Sequence, residues 1–249
     1  MKTAETGDAP RLAARFRRGR TRSGILGPAL LCTALLLVAT PSRADFGTVR
    51  RIVNGTAYTL EQGELAVGVF SPVQYGLLDE ITIATHPVLD LLLTPNVAFK
   101  GKVYDGPVAI SLNATYIETF LNSAQQTFPG TLSLYPMLTV PIGHAVSLTA
   151  QGGYNLDVSP VSHGAMFGLN ATFLLGPADL VQITVQDQWY SGGQGFRVPT
   201  AVVSYSHAWY RLRVSVGVAA GRFPLQIGGN GARVLNLPVY PVFDVWWLL

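Results

Sequence analysis

The chain is predicted to be all-β and to fold as an antiparallel up-and-down β-barrel that spans a membrane, for three reasons. Apolar and polar residues alternate with a period of two along most of the sequence. Only 12% of the 249 residues are charged and 49% are apolar, whereas soluble domains carry about 25% charged residues. Short and long connections alternate between the predicted strands, as they do in barrels of the outer membrane.

The first 44 residues have the organisation of a cleaved secretory signal peptide. A basic stretch at 11–22 precedes an uncharged apolar run at 24–40, and Ser42 and Ala44 supply the small residues of a cleavage site. We therefore predict cleavage after Ala44 and a single barrel domain at 45–249. An uncleaved membrane anchor is the alternative, although the apolar run is short for a helical span.

Cleavage would reverse the net charge of the chain. Residues 1–44 contain eight of the 17 basic residues and two of the 14 acidic ones, which leaves 9 basic and 12 acidic residues and a net charge of −3. The basic character of the precursor is thus no argument for a nucleic-acid partner, and we expect none. The chain after Ala44 contains no cysteine, which excludes disulfides and thiolate metal sites.

Segments of about ten residues show the alternation that makes β-strands, because successive side chains point to opposite sides of the pleat. In 131–140, for example, Leu132, Leu134 and Leu138 lie opposite Ser133 and Thr139. The polar faces carry Gln, Asn, Ser, Thr and Gly instead of the charges of a soluble surface. The other clear segments are 64–70, 96–104, 107–116, 145–154, 167–173, 179–189, 211–219 and 239–249.

Aromatic residues lie towards the ends of the predicted strands, as in the interfacial girdles of membrane barrels. The candidates for interface aromatics are Tyr116, Trp189, Tyr205, Trp209 and Trp247. In lipid every backbone N–H and C=O group must be paired internally, so a closed barrel is the β-structure that fits. A soluble secreted or periplasmic β-sandwich is the alternative.

The connections indicate the orientation and the number of strands. Short turns are predicted at 104–107, 141–144, 175–179 and 208–211 and face the periplasm, whereas longer loops are predicted at 118–130, 155–163, 190–199 and 221–231. Eleven strands are recognisable from Glu64 onward, and alternation makes the Glu64 strand run inward from the outer side. An upward strand must then precede it, and residues 56–60 (TAYTL) supply it. We predict twelve strands, with ten as the alternative.

Two segments resemble known bacterial barrels. The alternating end of the chain, 239–249, resembles the C-terminal strand that the barrel-assembly machinery recognises, with Leu249 in place of the usual terminal Phe. Residues 74–85 (QYGLLDEITIAT) resemble the tyrosine-glycine-leucine turn, acid and strand of uncharacterised outer-membrane β-barrel proteins. The resemblance implies a barrel in the outer membrane of a Gram-negative bacterium, with outer-membrane lipid and the assembly machinery as partners. It implies no catalytic residue.

The sequence offers no recognisable catalytic, cofactor or metal site. His86, His144, His163 and His207 have no metal-ligand spacing. Ser162 and Ser206 each neighbour a histidine, but adjacent residues of a strand point to opposite faces and cannot form a nucleophile–base pair. A barrel-embedded lipid-modifying enzyme is kept as an alternative function, without a catalytic residue to name for it.

Polar and charged side chains on the predicted lumen face are the remaining indication of function. They line either a narrow pore for small solutes, with a preference for anions, or they neutralise one another in a structural or interaction protein. For the second case we predict contacts of Glu80 with Lys102, and of Arg211 and Arg213 with Asp244. The full set of lumen candidates is Glu80, Lys100, Lys102, Gln182, Gln186, Arg211, Arg213 and Asp244.

Overall fold

A computed structural model describes residues 46–91, 94–118, 130–158, 161–190, 196–197, 199–228 and 231–249. The predicted signal peptide and its cleavage site lie outside these ranges, as does most of the predicted loop 118–130. A 3-10 turn at Val49–Arg51 and one short helix, α1 (Pro87–Leu91), are described. No helix in these ranges is long and apolar enough to cross a bilayer.

Thirteen β-strands are present in the described part of the chain. Their bounds are β1 Leu65–Gly68, β2 Val73–Leu78, β3 Ile81–Thr85, β4 Asn96–Asp105, β5 Ala109–Ile117, β6 Thr131–Ile142, β7 Val146–Val158, β8 Val161–Leu174, β9 Asp179–Tyr190, β10 Phe196–Arg197, β11 Thr200–Trp209, β12 Leu212–Gly228 and β13 Gly231–Leu248.

Twelve of these strands form one closed antiparallel barrel. Each pairs with the next along the chain, and β1 closes the sheet by pairing with β13. The two-residue β10 is outside the barrel order because it pairs only with the end of β9. The predicted fold class and twelve strands are confirmed, and the alternatives of ten strands and of a sandwich are wrong, since a sandwich would need two separate sheets.

The identity of the twelfth strand was predicted wrongly. Residues 56–60 pair with no strand; they lie inside the barrel, where the backbone N–H groups of Ala57 and Leu60 donate to the side chains of Thr139 and Thr82. The missing strand is β2, which contains the tyrosine-glycine-leucine sequence expected to be a turn. Consequently β1 starts at the end where the short turns lie, opposite to the predicted direction.

The two ends of the barrel differ. At the end called here the short-turn end, the connections are 79–80, 106–108, 143–145, 175–178 and 210–211. The opposite, long-loop end carries α1 and the remaining connections. Two of the predicted long loops are mostly strand, because β7 and β8 stay paired up to Val158 and Val161, and β12 and β13 up to Gly228 and Gly231. The wall is therefore low at β1–β3 and high at β12–β13.

Candidate functional site: the barrel lumen

The outer face of the barrel is apolar and exposed. On β6, Leu132, Leu134, Leu138, Val140 and Ile142 all project outward and are exposed. At about 3.3 Å per residue this row is about 33 Å long, and at a tilt of about 40° it rises about 25 Å, the height of the apolar band of membrane barrels. The neighbouring strands continue this surface with large exposed apolar side chains, among them Val97, Phe99, Leu112, Leu148, Phe167, Leu169, Val185, Val203, Val216, Val218 and Phe243.

The predicted interface aromatics all project from the outer face, in two groups. Tyr116 and Trp189 lie near the long-loop ends of β5 and β9, and Trp209 and Trp247 lie at the short-turn ends of β11 and β13. Tyr205 lies between the middle of β11 and the short-turn end, where its hydroxyl donates to Asp179. The aromatic side chains therefore occur towards both edges of the apolar band.

The inner face is polar and its groups bind one another across neighbouring strands. The hydroxyls of Thr139 and Thr149 are 2.8 Å apart, and the Ser206 hydroxyl donates to that of Ser215 at 3.0 Å. Thr139, Thr149 and Ser206 are buried although they are polar, because they face a filled lumen. The buried inner wall also includes Gln74, Thr82, Ser111, Asn113, Ser147, Asn170 and Thr172.

Residues 46–64, called here the inner segment, occupy the lumen at the short-turn end. The segment enters beside the turns of the wall, where the Phe46 N–H donates to the Pro177 carbonyl at 2.7 Å and the Val49 N–H to the His144 carbonyl at 3.2 Å. It then reverses at Asn54 and leads directly into β1. The segment thus narrows the lumen at the short-turn end of the barrel.

Among the described residues, half of the buried apolar side chains belong to this segment and the others to the wall. Phe46 and Ile52 pack with Leu180 and Ala208, and Val53 and Leu60 pack with Ala66. A third cluster joins Ala57 and Tyr58 to Ala109 and Met137. The small inward residues Ala66, Ala109 and Ala208 leave room for these contacts, so the hydrophobic core lies between the inner segment and the wall.

Lys100 of β4 is the strongest polar anchor of the inner segment. Its ammonium group donates to the carbonyl oxygens of Val53 at 2.8 Å, Thr56 at 3.0 Å and Tyr58 at 3.3 Å. An ammonium group has three donors, and all three are used here. Lys100 therefore faces the lumen but binds backbone carbonyls instead of lining an open channel.

The tip of the inner segment is held by three side-chain amides of the wall. Asn170 donates to the Gly55 carbonyl at 2.9 Å, Gln182 to the Asn54 carbonyl at 3.1 Å, and Gln74 to the Asn54 side-chain oxygen at 2.6 Å. Gly55 has a φ of +73°, and a Cβ atom there would lie 3.0 Å from the Asn170 amide nitrogen. The positive φ therefore favours glycine here, and a larger residue would also have to displace the Asn170 side chain.

Ion pairs fasten the segment to the rim of the short-turn end. Arg50 binds the Asp105 carboxylate at 2.9 Å and donates to the Gly106 carbonyl at 2.8 Å. Arg51 binds Glu64 at 2.7 Å and Glu61 at 3.3 Å, which joins the entering and leaving parts of the segment.

The first predicted charge contact does not form. Lys102 projects into the lumen, but its ammonium group pairs with Asp105 of the same strand at 3.0 Å. Glu80 lies exposed in the turn between β2 and β3, and only its backbone carbonyl accepts a bond from the Lys102 N–H, at 2.7 Å. The reason is a bulge after Lys102, which brings Asp105 within reach of the Lys102 side chain.

The second predicted contact does not form either. Arg213 is 9% exposed, and its guanidinium carbon lies 5.3 Å from the centre of the Phe46 ring. Asp244 instead accepts the N–H groups of Phe70 at 3.0 Å and Ser71 at 3.2 Å, together with the Ser71 hydroxyl, and so orders the connection between β1 and β2. Arg211 lies in the two-residue turn before β12.

Gln182 and Gln186 project inward at different heights of β9. Gln182 contacts the tip of the inner segment, whereas Gln186 is opposite Thr200 of β11, nearer the long-loop end. Thr200 is buried on the inner side, which gives Gln186 the same direction because directly opposite residues share a face.

Two cavities border the inner segment in the part of the chain that the structure describes. One, of about 550 Å³, opens at the short-turn end, and the other, of about 430 Å³, lies on the long-loop side of the tip. Asn54, Gln74, Gln182 and Trp246 line both cavities. The two cavities therefore meet at the hydrogen-bonded tip of the segment.

Ser206 and His207 lie on opposite faces of β11, as expected for adjacent residues of a strand. Ser206 projects inward, whereas His207 projects outward and contacts Asp179 at 2.7 Å. The His163 ring contacts the Tyr154 hydroxyl, and the Ser162 side chain lies outside the described part. Among the described residues no group of three or more His, Cys, Asp or Glu side chains could hold a metal ion.

Comparison with known proteins yields a likeness in structure and none in sequence. No protein-family model matches this chain, and no curated protein does. A solved structure of OmpT (in-vitro folded), an outer membrane protein of Vibrio cholerae, is similar over 74% of this chain, with a TM-score of 0.41 and 9% identity. The chain spans 64% of the length of that OmpT chain. The function is therefore inferred from the residues of this chain alone.

Proposed function

We propose that this protein is an integral β-barrel of the bacterial outer membrane, exported with a signal peptide cleaved after Ala44. The observation that supports it is the reversal of ordinary polarity: large aliphatic side chains are exposed on the outside, and Ser, Thr and Asn are buried inside. A water-soluble protein would expose a contiguous apolar band at a high cost in solubility. In a bilayer the same band contacts lipid, and the closed sheet satisfies its backbone groups.

The arrangement of the lumen favours a function as a narrow pore for small polar solutes. The inner segment is the constriction of this pore. The two cavities share Asn54, Gln74, Gln182 and Trp246 in their linings, and Asn54 is hydrogen-bonded to Gln74 and Gln182 where the cavities adjoin. A barrel filled solely for stability would pack these volumes with side chains. A solute of a few heavy atoms needs only a small displacement of the tip to pass.

The partners follow from the same placement. Outer-membrane lipid contacts the apolar band, and the barrel-assembly machinery is the expected partner of β13, whose outward residues include Phe243 and Trp247. In the orientation usual for such barrels, the short-turn end and the inner segment face the periplasm.

Conductance in planar bilayers tests the pore. Protein extracted from the outer-membrane fraction of expressing cells should show small, infrequent current steps. Asn54→Ala removes the side chain that contacts Gln74, and deletion of residues 46–60 removes most of the obstruction, so conductance should rise several-fold in the first variant and further in the second.

Gln62→Ala is the control, since the Gln62 side chain lies in the exposed turn of the same segment and should leave conductance unchanged. Equal conductance of all variants and wild type would contradict the pore and favour a structural or interaction role. Absence of the protein from the outer-membrane fraction would contradict the location.

A further inference from the structure

The cavity at the short-turn end has the composition of a ligand site. It lies between the inner segment and the wall formed by β1, β2, β9, β12 and β13, and its volume is about 550 Å³. This is within the range of pockets that enclose small organic ligands.

Arg213 supplies the cavity with a buried cation. Arg50, Arg51 and Lys102 each have a carboxylate partner at 3.0 Å or less. Arg213 is more buried than any of them and forms no ion pair with a carboxylate among the described residues. The charge of Glu64 acts on it from beyond ion-pair distance, and Glu64 is itself bound by Arg51 at 2.7 Å. The described contact of Arg213 is the ring of Phe46. A buried charge is costly without a partner of opposite sign, and a guanidinium group presents donors that match a carboxylate.

The rest of the lining is amphipathic. Apolar side chains from the segment and the wall form one part, and the amides of Asn54, Gln74 and Gln182 form the part nearest the tip. The acidic side chain of the lining is that of Glu64, which is bound by Arg51 at 2.7 Å. The apolar lining includes Phe46, Ile52, Leu60, Leu180, Trp246 and Leu248.

We propose that this cavity binds a small organic carboxylate with an apolar chain, its carboxylate on Arg213 and its chain along Phe46, Leu60 and Trp246. The proposal rests on the proposed function for its setting, and it names the class of solute that the pore would handle. Neither half of the lining suffices alone: the cation selects the acid group, and the apolar wall selects the chain.

Octanoate is the probe for this site. Wild-type protein refolded in an uncharged detergent is titrated calorimetrically with octanoate, with acetate, which lacks the chain, and with octanol, which lacks the charge. Octanoate should bind at one site per chain. Acetate and octanol should each bind at least about tenfold more weakly, as expected when a charged hydrogen bond or several buried methylene groups are lost.

Two variants locate the bound octanoate. Arg213→Gln should weaken octanoate about tenfold or more and leave octanol unchanged, whereas Trp246→Ala should remove an apolar wall of the cavity and weaken both. Arg50→Gln is the control, because Arg50 binds the rim outside the cavity and octanoate should bind this variant as it binds wild type. If Arg213→Gln loses its heat-dependent mobility on gels and is therefore unfolded, Trp246→Ala decides.

The outcomes separate the two proposals. Octanoate binding that is unaffected by both variants, or equal binding of acetate, overturns the site. Absence of octanoate binding in a protein that conducts overturns the site and leaves the pore. Binding that depends on Arg213 in a protein without conductance supports the site and contradicts the pore.

Discussion

At the scale of single residues, Lys100 decides where the inner segment lies. Its three acceptors are backbone carbonyls, and all three belong to buried residues, Val53, Thr56 and Tyr58. Buried carbonyls that lose a donor cannot recover hydrogen bonds with bulk water, so each orphaned group costs about 1–3 kcal/mol. Lys102, two residues along the same strand, instead makes an ion pair with the exposed Asp105.

We therefore expect Lys100→Met to lower the free energy of unfolding by about 2–4 kcal/mol, and Lys102→Met to lower it by less than about 1 kcal/mol, as for other exposed pairs. Urea unfolding of the refolded barrel in micelles measures both. Because the two substitutions remove the same side chain from the same strand, equal losses would show that the inner segment is not anchored by Lys100.

The inward direction of Lys100 could be predicted from the sequence, but its partners could not. Parity along β4 gives the face of a side chain, since the period of a strand is two. The acceptors, however, are carbonyls of a segment more than forty residues away in the chain, and every residue carries a carbonyl. Predicting acid–base pairs for Lys102, Arg213 and Asp244 failed for the same reason: Phe46, Ser71 and Asp105 were competing partners that alternation does not reveal.

At the scale of secondary-structure elements, each strand separates two environments. In β11, Val203 is 45% exposed on the outer face, and Ser204 projects to the inner side and lines the cavity beyond the tip. An arginine at the first position would place its charge in the apolar band. At the second it would have room and polar neighbours.

Val203→Arg is expected to destabilise the barrel by about 2–4 kcal/mol when it is folded in lipid vesicles, the cost of arginine near the bilayer midplane. Ser204→Arg should cost much less. Folding titrations in vesicles, read by the heat-dependent shift in gel mobility, measure the difference. A larger cost for Ser204→Arg would mean that the assigned faces are reversed.

The alternation of apolar and polar residues predicted the long strands well. It failed at residues 56–60, where the same alternation has another cause. Residues 56–60 bury Thr56, Ala57, Tyr58 and Leu60 inside the lumen, surrounded by wall on several sides. Such a segment resembles a strand in composition but pairs with none. The Asn54-Gly55 pair before it is a turn signal that could have suggested a reversal inside the barrel, and the positive φ of Gly55 agrees with it.

At the scale of the whole molecule, the barrel and its inner segment form one packed unit, and the segment has to shift for the two cavities to connect. The Ala57 N–H lies 2.8 Å from the Thr139 hydroxyl oxygen of β6, so these two positions are neighbours across the boundary between segment and wall. The chain from Asp45 onward has no native cysteine that could interfere with a disulfide placed here.

A chain carrying Ala57→Cys and Thr139→Cys should conduct several-fold less when oxidised than when reduced, because the disulfide would fix the segment to the wall. Planar-bilayer recordings before and after addition of a reductant measure the change. The single variant Ala57→Cys should not respond to the reductant. If the oxidised double variant, with its disulfide verified by mass spectrometry, conducts as the reduced one does, movement of this part of the segment is not required for conduction.

The junction between the first and the last strand has a consequence for the order of assembly. β1 and β13 come from opposite ends of the barrel sequence and are joined over a short stretch, from Leu65 and Leu249 to Val69 and Val245. Contacts so distant in the chain form late in folding, because much of the chain must be ordered before they are made. The inner segment immediately precedes β1. It must therefore already lie inside the curved sheet when β1 pairs with β13. The barrel would then close around its own N-terminal segment. The rate of this last folding step would depend on how fast residues 46–64 dock against the wall.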